Sequence, residues 1–138
     1  MREQTAALLR TSLDEGEQVC VRVSGHCMAP RINDGALITV TNKLPYRAGD
    51  AIVFLDHEHQ GFIVHRLLGT LRYQHNLLYM TKADSRSTPD ALLRPEQVVG
   101  KVDGFVPTRA EVWRCKAQFL TFVVKFALRK IVYGKAAG

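Results

Sequence analysis

The chain has 138 residues, 46% hydrophobic and 23% charged, which suits one packed domain and excludes a disordered or collagen-like chain. The formal net charge is +6, and it is concentrated: Arg109, Arg114, Lys116, Lys125, Arg129, Lys130 and Lys135 face a single acid, Glu111. Any attraction for nucleic acid, anionic lipid or acidic protein therefore belongs to the C-terminal segment.

The three cysteines, Cys20, Cys27 and Cys115, are irregularly spaced and form no CxxC, which disfavours both a disulfide framework and a zinc site. The N-terminal stretch has no apolar run long enough for a signal peptide or a membrane span. The expectation is a protein soluble in its bulk, in the cytoplasm, with a peripheral position at the inner membrane face as the variant.

In chain order, Ala6, Leu8, Leu9 and Leu13 are spaced for a short helix over residues 2–13, stopped by Gly16. Val19, Val21 and Val23 alternate as a half-buried strand. A turn-rich stretch, His26 to Gly35, leads to a second strand at Ala36–Asn42, and Gly49-Asp50 opens a third at Ala51–Asp56. Residues 56–61 read as a polar hairpin tip. A long strand runs from Gly61 to Tyr73, His75-Asn76 make a turn, and Leu77–Lys82 form another strand. Residues 83–90 are loop, and Val98–Val106 close the β-rich part. About seven short strands with close turns predict a compact, mostly antiparallel β fold or barrel over residues 1–108.

From residue 109 to 138 the pattern becomes a long amphipathic helix, with Gly134 as its stop. Polar positions Arg114, Gln118, Thr121, Lys125 and Arg129 draw a narrow stripe on an otherwise apolar surface. Three partners fit that surface: the barrel itself, a partner chain, or an anionic membrane on which the helix lies.

Five short boxes stand in order: Ser24-Gly25-His26-Cys27-Met28-Ala29-Pro30, Gly49-Asp50, Val64-His65-Arg66, Met80-Thr81-Lys82-Ala83-Asp84, and Val99-Gly100-Lys101-Val102. Together they resemble the signal peptidase and SOS-repressor peptidase superfamily, over about Val19 to Val106. The His at position 65 is similar to the endoplasmic-reticulum and archaeal type, where bacterial relatives carry Lys. Cys27 stands where the family carries its nucleophilic Ser, Ala36 where it carries Asp, and Ala83 where it carries Gly. The resemblance implies a mostly β, signal-peptidase-like, partly open antiparallel barrel, Asp90 as the carboxylate that completes the catalytic set with Asp84 in support, cleavage of a precursor or leader peptide after small residues, and no cofactor.

The residue chemistry agrees with that implication. A thiol becomes a nucleophile once a base takes its proton, and imidazole titrates near neutrality. Cys27 is thus the candidate nucleophile and His65 the candidate base. A carboxylate is needed to fix the imidazole tautomer, and Asp90 or Asp84 can supply it. The Cys27 N–H is a candidate oxyanion donor, with Gly25 and Met28 on the substrate side.

His57 and His59, beside Asp56 and Glu58, fit a solvated tip better than a metal site. His26 neighbours Cys27, but adjacent strand side chains point apart. A self-cleaving repressor and nucleic-acid binding are disfavoured. The other function class is a peptide- or partner-binding module of the same fold that has lost catalysis.

Overall fold

The computed structural model describes residues 2–23, 25, 27–56 and 61–136. His26 and the tip containing His57 and His59 lie outside the described residues. The elements are α1 (Arg2–Asp14), β1 (Val19–Arg22), β2 (Leu37–Thr41), β3 (Ala51–Asp56), β4 (Gly61–Tyr73), β5 (Asn76–Lys82), a 3-10 turn (Pro95–Gln97), β6 (Val98–Val102) and α2 (Arg109–Ala136). The six strands form one sheet in the order β1-β2-β6-β3-β4-β5, each pair antiparallel, open at β1 and β5. The expected mostly β fold between two helices is therefore the observed one. Among the described residues there are six strands, and the last is shorter than the expected Val98–Val106 because the chain after Val102 turns away at Asp103-Gly104 and runs as coil to Thr108.

The sheet is buried on both faces, and β3 shows why its sequence is a continuous apolar run. Successive strand residues point to opposite faces. Ala51 and Val53 enter one core with Met28, Ile32, Val40, Val64 and Val99, which Leu9 and Leu13 of α1 cap. Ile52 and Phe54 enter the other, with Leu67, Tyr79, Leu93 and Val98. A third cluster, Leu68, Met80 and Cys115, receives Phe119, Phe122 and Val123 from α2.

The hairpin between β4 and β5 turns on Gln74 and His75, both at positive φ, with Tyr73 paired to Asn76. Two left-handed residues match the right-handed twist of the flanking strands, which places the turn one residue earlier than composition suggests. The helix α2 runs to Ala136, through Gly134, so that glycine is no stop. Its seat on the sheet depends on a missing side chain. At Gly69, beside the β4 bulge, an added Cβ would lie 2.7 Å from the Phe119 ring.

A similar constraint holds β6 against β2. A Cβ on Gly100 would sit 2.5 Å from the Thr41 carbonyl oxygen and 2.9 Å from Val40 Cγ1. The backbone oxygen cannot swing aside, so the strands must part. Gly100→Ala is therefore expected to cost about 1–3 kcal/mol and lower Tm by roughly 4–12 °C in a thermal melt. An unchanged Tm would refute the close approach.

Candidate active site

β4 carries the two residues around which the site is built. In register, His65 stands opposite Ile52 on β3, and the two share a face with Phe54 and Leu67. The imidazole is 7% exposed and meets the Phe54 ring edge-on at 5.4 Å. Its Nδ1 lies 2.5 Å from Asp90 Oδ2. A carboxylate only accepts, so Nδ1 carries the hydrogen, and in the neutral ring Nε2 is then the nitrogen with the free lone pair.

Asp90 is itself held twice by Thr81 of β5. The Thr81 hydroxyl donates to Asp90 Oδ2 at 2.9 Å, and the Asp90 N–H donates to the Thr81 carbonyl at 2.8 Å. Thr81 is fully buried. The result is an imidazole fixed in orientation through Nδ1 by a carboxylate that is itself held in place.

Arg66, one residue on, points to the opposite face. It is 4% exposed, and its charge is fully compensated. Nε and Nη2 form a fork on the Asp84 carboxylate at 3.0 and 2.6 Å, Nη2 reaches Glu111 at 2.8 Å, and Nη1 donates to the Gly49 carbonyl at 3.3 Å. Burial works against the guanidinium charge, but Asp84 and Glu111 outweigh it and hold the group ionised. Asp84, expected in support of the base, is thus placed on Arg66, while Asp90 meets the imidazole. Sequence reasoning missed Thr81, Arg66 and Glu111. The available signal was an arginine inside the apolar run Ile63–Leu68, because a buried charge requires partners.

The candidate nucleophile sits in the turn after β1. Gly25 adopts φ +95, a conformation that L side chains rarely take, and its N–H donates to Asp34 Oδ1 at 2.8 Å. An added Cβ there meets nothing within 4 Å, so conformation rather than crowding calls for glycine. Met28, expected on the substrate side, has its side chain in the core at 2% exposure, packed with Ile32, Val53 and Val64. Its apolar bulk anchors the turn and is not available to a substrate.

Cys27 is partly exposed, and its carbonyl accepts the Ser85 N–H at 3.1 Å. Loop 83–90 therefore joins the Cys27 backbone at one end to His65 at the other. Among the described residues, no hydrogen bond links Cys27 directly to His65. Next to the turn, Ala29, Pro30, Arg66, Lys82, Asp84 and Arg86 help to line a cavity of about 430 Å³. No group of three or more metal-ligating side chains occurs among the described residues.

With this geometry in view, the chain matches the Peptidase S24-like family over residues 2–102, and it belongs to that family. It is also 33% identical over 69 residues to signal peptidase I of Streptococcus pneumoniae, in both the serotype 4 and R6 strains. The matched stretch covers 47% of this chain and 34% of each relative, so the chain spans about a third of their length. The scaffold is that of a peptidase. No described helix is long and apolar enough to cross a membrane.

Glu111 links this site to α2. It caps the helix reciprocally: the Thr108 N–H donates to Glu111 Oε1 at 2.9 Å, and the Glu111 N–H donates to Thr108 Oγ1 at 3.1 Å. Its other oxygen meets Arg66 at 2.8 Å and Arg31 at 3.3 Å. Burial alone would raise its pKa; the Thr108 amide, Arg66 and Arg31 outweigh that and hold it below the ordinary glutamate value.

A lowered folded-state pKa means that the unfolded chain binds the proton first as pH falls. The stabilisation is then complete above the unfolded value, about 4.3, and is lost as pH falls through the folded one. Glu111→Gln is expected to be less stable than wild type at neutral pH, with the difference shrinking below about pH 4 in acid titrations of denaturant midpoints. A difference independent of pH would refute the ion-pair role.

Proposed function

We propose that the chain is a peptidase that cuts a precursor or leader peptide, with Cys27 as nucleophile, His65 as base and Asp90 as the orienting carboxylate. The observation that carries this reading is the His65 Nδ1–Asp90 contact at 2.5 Å, locked by Thr81. A packing histidine has no need of a doubly held carboxylate. In the first half-reaction, His65 Nε2 takes the Cys27 thiol proton, and the sulfur attacks the peptide carbonyl carbon. The tetrahedral oxyanion is met by the Cys27 N–H, because the Gly25 N–H is already committed to Asp34.

Collapse breaks the C–N bond, and the proton on Nε2 passes to the leaving amine, which leaves a thioester on Cys27. Water then gives a proton to Nε2 and attacks the thioester, releasing the carboxyl product and restoring the thiol. Asp90 stabilises the imidazolium in both halves without taking its proton. Asp84 contributes by fixing loop 83–90 on Arg66. By analogy with the signal peptidase relatives, small residues before the scissile bond are the natural substrate.

A second reading is a peptide-binding module of the same fold. It is favoured by the lack of a hydrogen bond between Cys27 and His65 among the described residues. In uncomplexed enzymes such bonds often tighten only with substrate bound, so the catalytic reading stands first.

Two experiments decide between them. Against small-residue precursor peptides followed by mass spectrometry, Cys27→Ala should abolish cleavage. His65→Ala should lower kcat by about 10²–10⁴ in protein that circular dichroism shows still folded. Unaltered cleavage by His65→Ala would overturn the assignment.

Thiol alkylation by iodoacetamide near pH 7 provides the other test. Cys115 is buried, and that burial pushes its thiol pKa up, so it should be the slowest of the three. A His-assisted Cys27 should outpace the more exposed Cys20. Cys20 labelling faster than Cys27 would favour the module.

A further inference from the structure

α2 has two apolar faces, and the sheet uses only one. Cys115, Phe119, Phe122 and Val123 pack into the third cluster, and Lys130 ties the far end down through a hydrogen bond of 2.9 Å to the Tyr73 hydroxyl. On the other side, Trp113, Leu120, Val124 and Leu128 are 71%, 64%, 48% and 55% exposed. At 100° per residue, Trp113, Leu120 and Val124 fall on one line, about 180° from Phe122. They form a strip along a helix of 28 residues, roughly 40 Å long. Isolated exposed apolar side chains need no explanation, but a continuous strip of them does.

We infer that this strip lies on an anionic membrane surface, with the helix axis in the plane of the headgroups. The charges bordering the strip decide the occupant. Lys116 stands along one edge and Arg114 and Lys125 along the other, all exposed. The acid nearest to them on the helix, Glu111, is turned inward to Arg66 and Arg31. A second copy docked along the same strip would bring like charges together on both borders. A nucleic acid would set four apolar side chains against phosphates. A laterally uniform anionic plane accepts both cationic borders at once and buries the apolar line between them. Lysine and arginine stems can then reach up to the headgroups. Trp113 adds an interfacial anchor, with Lys116 Nζ 5.7 Å above its ring.

The test uses the full chain. Trp113 is the protein's only tryptophan, so its intrinsic emission reports on the strip directly. The protein is mixed with phosphatidylcholine vesicles, or with phosphatidylcholine vesicles containing phosphatidylglycerol, and then floated on a density gradient. Flotation is expected only with the anionic vesicles, with a blue shift of Trp113 emission, and should weaken when salt rises from about 0.1 to 1 M. The double variant Leu120→Glu, Val124→Glu changes exposed positions only and should keep the wild-type Tm. Its partitioning should be at least about tenfold weaker.

Three results would each overturn the inference. One is wild-type protein that stays unbound with unshifted emission, which would leave the strip to a protein partner. Another is a double variant that floats as well as wild type. The third is a concentration-dependent dimer in sedimentation that the same substitutions dissolve, which would assign the strip to a second copy.

Discussion

The buried guanidinium of Arg66 is the constraint on which the rest of the arrangement depends. A charge removed from water must be met by opposite charge and by hydrogen bonds, and stripping one partner from such a group typically costs about 3–5 kcal/mol. Here the partners come from three places: Asp84 on the loop after β5, Glu111 on the first turn of α2, and the Gly49 carbonyl ahead of β3. Through Glu111 the network also reaches Arg31, beyond the turn that carries Cys27. Phe105 completes it, with the Arg31 and Arg66 guanidinium carbons 4.5 and 5.0 Å from its ring centroid. Satisfying one buried cation thus fixes where loop 83–90 and α2 sit. That loop in turn presents Asp90 to the imidazole on the other side of the sheet.

The candidate base and the charged support of its site are separated by a single residue step. His65 and Arg66 are consecutive, and strand pleating sends them to opposite faces. The imidazole meets apolar walls and one oriented carboxylate, which suits proton transfer. The guanidinium meets two carboxylates, which suits permanent charge and rigidity. Neither could perform the other's task from its neighbour's position.

Much of this was legible in the sequence because strong local signals agreed with the global fold. Alternation at Val19–Val23, the bounded apolar run of Ala51–Asp56 and the five ordered boxes predicted strands and family, and the imidazole's pairing with Asp90 followed the expected spacing. The failures also have physical reasons. Gly134 has low helix propensity, yet the helix continues through it, since a single glycine costs only about 1 kcal/mol. Asp84, expected in support of the base, is instead taken by Arg66, a partner that the buried position of that guanidinium decides. Met28 sits inside the box that resembles the family's nucleophile motif, but its apolar side chain follows the core, which motif membership does not reveal. The two-sided character of α2 was visible as a narrow polar stripe, while the side facing the sheet was fixed by the Gly69 notch for Phe119.

The alternation along β4 also limits how this chain can change in length. A strand repeats every two residues, so a single inserted or deleted residue between Ile63 and His65 would exchange the two faces at this point. The imidazole would then enter the carboxylate cluster, and the guanidinium would be driven against Phe54 and Ile52. Point substitution can be graded, but here loss of one codon would be all-or-none. Evolutionary drift in length must therefore fall outside the Phe62–Arg66 ladder with Ala51–Leu55, or come in pairs of residues that restore the parity.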